Sequence, residues 1–174
     1  NDEVIVFSKV ALVDNIGMAC PSIIEILGKE SESYYRNSIL RELKFSHTGC
    51  LHRSDLFSKF GKFRTELKIA SDYDFLLRCV GRDLSKIRKI DSLLIDMSSG
   101  GLSSGIETKV SAYEESILAR SLNGFNTISY PLVIRLWTSR FALAINNIFG
   151  EKALLCFSNL YRRFLGKPLR KVYK

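Results

Sequence analysis

Hydrophobic positions come first in short clusters and then, in the last third of the chain, at long helical periods. Residues 4–7 and 10–13 are apolar runs separated by Ser8-Lys9 and followed by Asn15-Ile16-Gly17, so residues 3–14 read as two short strands and β-hairpin material. Pro21 opens a predicted helix through Ile23, Ile24, Ile26 and Leu27 that Gly28 ends, and the polar run 29–37 reads as a loop or short helix. Residues 45–51 suit a strand interrupted at Gly49. Helices are expected over 55–60 and 72–80, and a strand over 89–96. After Gly105 the pattern is helical alone: 107–122, then 131–149 beyond a break at 124–130, then 151–165. Val110, Tyr113, Ile117 and Leu118 give the first of these an apolar stripe, whereas Leu132, Leu136, Trp137, Ile145 and Phe149 give the second a broader one. Three helices in succession imply a separate packing layer. The expectation is an α/β unit over 1–104 and a helical extension over 105–174.

Composition narrows this picture. At 174 residues and 46% hydrophobic, the chain is globular rather than disordered. Cys20, Cys50, Cys79 and Cys156 are far apart with no Cys-x-x-Cys, which suits reduced thiols in a cytoplasmic chain and neither a metal knuckle nor a disulfide framework. No leader-like segment opens the sequence, and no apolar run approaches the roughly 20 residues of a membrane span. The net charge is +8, and residues 151–174, with seven Lys or Arg against one acid, hold +6 of it. Arg162, Arg163, Lys167, Arg170 and Lys171 interleave there with Tyr161, Phe164 and Leu165, a composition that suits an anionic membrane surface as well as a solvated basic face. Nucleic acid would be attracted by the same charges, but no nucleic-acid partner is expected.

The chemistry concentrates between His47 and Arg78. Ser71 has the character of an N-cap and Asp74 follows three residues later, the spacing of a capping box; Phe75, Leu76, Leu77 and Val80 form the apolar face, and Gly81 ends the helix. Asp72 lies in the first turn, where the partial positive charge of the helix end keeps a carboxylate ionised and able to accept a proton. The same residues also admit a plain capping role, in which Asp72 only complements the helix dipole. Arg78 is spaced to pair with Asp74 at i,i+4, and His52 reads as a surface residue.

The run formed by His47, Arg53-x-x-Leu56-Phe57-x-x-x-Gly61-x-Phe63 and Ala70-x-Asp72-Tyr73-Asp74-x-x-x-Arg78 resembles the second half of the family 2 glycosyltransferases, the inverting, nucleotide-sugar-dependent enzymes that build bacterial polysaccharides. Residues 4–7 and 10–17 resemble the strand and hairpin that follow that fold's metal-binding step. Ile90 to Leu94 and Ser99-Gly100-Gly101-Leu102-Ser103 resemble its final strand and Gly-Gly-x-Ser loop. The resemblance covers roughly residues 2–104. It implies a partial GT-A-like fold lacking its N-terminal nucleotide-binding half, so that the chain reads as the C-terminal portion of an enzyme, inactive alone.

On that resemblance Asp72 is the general base, and His47, Asp74, Arg78, Gly100, Gly101 and Ser103 contact substrate. The Gly100-Gly101 segment reads equally well as a flexible turn. The implied cofactor is a divalent metal, Mg or Mn, held by an Asp-x-Asp pair that does not occur upstream of Asp72, so no metal ligands are assigned here. The implied partners are a nucleotide-sugar donor, a saccharide or lipid-linked acceptor, the missing half, and the inner face of the membrane through peripheral contact. Self-association is expected wherever apolar surface lacks a cover. The alternative from another class is a non-enzymatic basic module that binds an anionic membrane surface or nucleic acid.

Overall fold

Apolar residues 5–7 and 10–13, with Ser8-Lys9 between them, form one ten-residue strand rather than two: β1, Ile5–Asp14, is the central strand of a four-stranded mixed sheet. The computed structural model describes residues 5–14, 22–27, 30–44, 47–81, 83–98, 105–164 and 166. β2, Ser22–Leu27, lies antiparallel to the end of β1, with Val10 opposite Leu27 and Asp14 opposite Ser22. The hairpin is therefore between β1 and β2, and the helix expected after Pro21 is a strand. Three isoleucines in six residues explain the correction, because β-branched side chains suit a pleated surface better than a helix when a partner strand is at hand.

The start of β1 pairs antiparallel with β3, Cys50–His52, in the register Ile5 to His52. Of the strand expected over 45–51, Cys50 and Leu51 are extended and His47–Gly49 forms a 3-10 turn, while residues 45 and 46 lie outside the described residues. β4, Ile87–Ser98, runs parallel to β1 from Ile5 opposite Ile87 to Val13 opposite Ser98. A strand has two edges; with β4 on one, β3 and β2 share the other.

Between the strands lie α1, Glu32–Ile39, capped by the Ser31 hydroxyl, which accepts from the Tyr34 N–H; α2, Leu56–Phe60; and α3, Ser71–Val80. α3 is the buried helix of the molecule. Tyr73 to Leu77, Cys79 and Val80 are all buried, so the expected apolar face extends nearly around the helix, leaving Ser71, Asp72 and Arg78 partly exposed. Tyr35 and Ile39 of α1, Leu56 of α2, Leu67, Ile87 and Ala119 complete the core against it. Each fully buried Phe or Leu contributes about 1.5–3 kcal/mol.

α4, Ile106–Leu122, packs on α3, and α5, Tyr130–Phe164, packs on α4. Gly150 breaks α5 with φ 78 and ψ 170, a backbone region essentially restricted to glycine, so the two helices expected on either side of it are present as two segments. The apolar positions of α5 divide. Leu132 and Leu136 are buried, while Tyr130, Ile134, Trp137, Phe141, Ile148 and Phe149 are exposed, Trp137 at 65%. No described helix is long and apolar enough to cross a membrane.

Candidate active site around Asp72

The α3 start is not built as its sequence suggests. The helix begins at Ser71, with Ala70 in the cap position and no side-chain cap bond from either, so the expected capping box is absent. Glu115 of α4 instead anchors the residues that lead into the helix: one carboxylate oxygen accepts the N–H groups of Ile69, at 2.7 Å, and Ala70, at 2.9 Å. Asp72 serves the helix start itself: its Oδ1 accepts the Tyr73 N–H of the first turn at 2.7 Å, and its own backbone N–H also interacts with the carboxylate.

Asp72 Oδ2 faces His47 Nδ1 at 3.9 Å, and the Asp72 side chain keeps 31% of its surface. Burial raises its pKa, while the positive charge available on His47 and the backbone N–H of Tyr73 pull it down; burial prevails. A carboxylate with raised proton affinity that remains in reach of solvent is suited to accept a proton.

His47 Nε2 lies 2.9 Å from His52 Nε2, so the two rings share a proton. If the His52 nitrogen donates, a neutral His47 carries its own hydrogen on Nδ1, toward Asp72. A doubly protonated His47 has the same Nδ1–H. A neutral His47 that donates through Nε2 has a bare Nδ1 instead, so the tautomer decides whether a donor faces the carboxylate. His52 is therefore not the surface residue expected: it is half-buried, its Nδ1 has no hydrogen-bond partner among the described residues, and its pKa is lowered to about 4 by burial and by His47. Cys50, the first residue of β3, is pushed up to about 12, chiefly by burial and then by the Asp72 charge, so its thiol is protonated at neutral pH. Among the described residues Cys79 and Cys156 are free thiols.

An aromatic wall stands beside these groups. Phe57 stacks on Phe75 with ring centroids 4.7 Å apart and an interplanar angle of 14°, and Phe63 meets both edge-on. His47 sits edge-on to Phe63 and His52 to Phe75. Phe57 and Phe63 are exposed, and their outer surfaces adjoin the histidine pair. Neither ring's role is legible from hydrophobic period, since both lie outside the long helices.

Asp74 and Arg78 engage the protein itself. Asp74 is 0% exposed; its Oδ1 accepts from Arg64 Nη1 and Asn123 Nδ2, both at 2.8 Å, and its Oδ2 from Arg78 Nε at 3.0 Å. The i,i+4 pair expected from spacing is thus present. Arg78 goes on to donate to the carbonyls of Phe60 and Lys62, the latter at 2.8 Å, with its guanidinium 5.2 Å from the Phe75 ring centroid. Between those carbonyls Gly61 takes φ 79 and ψ 175, and a side chain there would meet Arg78 Nη1. The network fixes the loop that carries Phe63.

Gly100, Gly101 and Ser103 lie outside the described residues, as do Lys167, Arg170 and Lys171; Arg162 is half-buried and Arg163 exposed near the end of α5. Among the described residues no three His, Cys, Asp or Glu side chains are grouped so as to hold a metal ion. His47, His52 and Asp72 do not make such a set. Compared with protein-family models, curated proteins and solved structures, the chain matches none.

Proposed function

We propose that the chain carries the acceptor-activating part of an inverting, nucleotide-sugar-dependent glycosyltransferase of bacterial surface polysaccharide synthesis, with a partial GT-A-like fold and Asp72 as the general base. The observation that carries this reading is Asp72 itself, a helix-start carboxylate 3.9 Å from His47, raised in proton affinity by burial and open to solvent. In an inverting transfer the acceptor hydroxyl attacks the anomeric carbon from the face opposite the leaving diphosphate. Its proton passes to Asp72 as the new C–O bond forms, and the bond to the nucleoside diphosphate breaks with the electron pair leaving on the phosphate oxygen. His47, 3.9 Å from the carboxylate, sets beside it a ring that can carry positive charge. Phe57 and Phe63 offer exposed ring surface to the apolar C–H face of a sugar. Asp74 and Arg78 hold that wall in place. In this reading the divalent metal and the nucleotide are bound by residues outside this sequence, and the site operates at the cytoplasmic face of the membrane.

The test is nucleoside diphosphate release by the enzyme that contains this chain, with a panel of uridine and guanosine diphosphate sugars. Asp72→Asn should lower turnover by at least about 10²-fold with donor affinity unchanged, since a positioned base contributes about 10² to 10⁴-fold. Retention of more than about a tenth of the rate would overturn the assignment. A second reading, a basic module that docks on an anionic membrane surface, is favoured by the exposed apolar positions of α5 beside Arg135, Arg140, Lys152 and Arg163.

A further inference from the structure

The first segment of α5 is apolar on two opposite sides. Leu132 and Leu136 lie on the buried side. Tyr130, Ile134, Trp137, Phe141, Ala144 and Ile148 lie on the other and are exposed, the five large side chains by 61 to 72%. At 3.6 residues per turn these six positions fall within an arc of about 80°. Their spacing of four, three, four, three and four residues is the a/d pattern by which one helix receives another.

Charge argues for a protein partner over a lipid one. A helix that lies on anionic headgroups offers them Lys and Arg along its polar face. Between Tyr130 and Gly150 the sequence has two charged residues, Arg135 and Arg140, and both engage carboxylates of their own chain. Arg135 meets Glu42, which Lys44 shares, at 2.8 Å, and Arg140 meets Glu114 at 2.6 Å. Lys152 and Arg163 lie beyond the break at Gly150. The seam is also its own complement. A second copy turned about a two-fold axis at the level of Ser139 sets Trp137 against Phe141, Ile134 against Ala144 and Tyr130 against Ile148. Aromatic rings then meet at the centre, and the small Ala144 receives the larger Ile134. Near the axis Arg140 approaches its symmetry mate already paired with Glu114, so the contact brings together ion pairs rather than bare cations.

The area fits as well. Five large side chains of about 200 Å², each about two-thirds exposed, offer roughly 700 Å² per copy. That exceeds the largest apolar patch usual on a monomer, about 300–600 Å², and approaches the about 800 Å² that each partner buries in a stable complex. We propose that this chain forms a homodimer through α5, two copies packing antiparallel along the seam from Tyr130 to Ile148. The contact is independent of the role given to Asp72.

Sedimentation velocity of the 174-residue chain between about 1 and 100 μM is the test. A species of twice the 19.8 kDa chain mass is expected to grow with concentration. Trp137→Glu or Phe141→Glu should raise the dissociation constant at least about 100-fold, because either places an unpaired carboxylate at the centre of the contact. Both side chains are exposed in the single chain, so the circular dichroism of these variants should match the parent. Phe164→Glu, beyond Gly150 and outside the seam, should dimerise as the parent does. Ile134→Lys alone should weaken the dimer about tenfold or more. Combined with Ala144→Glu it should recover most of that loss, since antiparallel packing sets the two introduced charges opposite each other twice. A chain that stays monomeric throughout the range overturns the proposal, as does a dimer that Trp137→Glu leaves unchanged. Failure of the double variant to recover overturns the antiparallel pairing. A monomer that sediments with anionic vesicles would give the seam to a bilayer instead.

Discussion

His52 shows how much a single side chain can hide from sequence reading. It follows a strand residue and precedes an arginine, a polar setting, yet pairing of β3 with β1 turns it onto Phe75 and His47. Its burial has a sign that can be measured. The folded-state pKa of about 4 lies below the ordinary 6.5, so between these values the unfolded chain takes up a proton that the native state refuses. Stability is unaffected above pH 6.5 and falls as pH drops toward 4, by at most about 3 kcal/mol and less once solvent screening at a half-buried ring is counted. Asp72 acts in the opposite sense: its raised pKa means that the native state keeps a proton the unfolded chain has lost, so its contribution declines as pH rises above 3.8. Urea unfolding of the parent and of His52→Leu at pH 7 and pH 4.5 separates the two, and the variant should lose most of the acid-side decline. An undiminished decline would place its origin elsewhere. That Asp72 lies in the first turn of a helix was legible because it is a local property, and His47 was named with it; the place of His52 beside them was not, because it arrives on β3.

At the scale of elements, the long helices and the i,i+4 pair of Asp74 and Arg78 were readable, since helical period and pairing are encoded within a few residues. Residues 22–27 were misread as a helix because a short isoleucine-rich run satisfies either period, and only the register with β1 decides. The cap of α3 was misread for a related reason. Ser71 and Asp74 have the right spacing, but Glu115, some forty residues later, anchors the residues that lead into the helix. Glu115→Ala should therefore destabilise the fold by about 1–3 kcal/mol, the usual cost of stranding buried N–H groups, whereas Ser71→Ala should change it by a few tenths. Thermal unfolding of both variants checks this, and a larger loss in Ser71→Ala would reinstate the local cap.

For the whole molecule, composition and pattern indicated a mixed α/β chain with a helical C-terminal region, but not which apolar positions of α5 would face outward. Tyr130, Ile134, Trp137, Phe141 and Ile148 recur at intervals of three, four or seven residues and form an exposed seam. Farther along, Phe164 is 88% exposed beside Arg163. If this surface meets an anionic bilayer, each nearby Lys or Arg contributes about 1 kcal/mol, and salt screens the attraction within a Debye length. Co-sedimentation should show binding to anionic vesicles at low salt that is lost at high salt and absent for neutral vesicles; equal binding to both would leave the seam to another protein surface. The sheet carries a consequence of a different kind. β1 is complete at Asp14, but its parallel partner β4 begins at Ile87, 73 residues later. On a ribosome adding about 5–20 residues per second, that edge stays unpaired for several seconds after β2 and β3 are available. The order of synthesis thus exposes a hydrophobic strand edge during translation, the period in which a chaperone has most to protect.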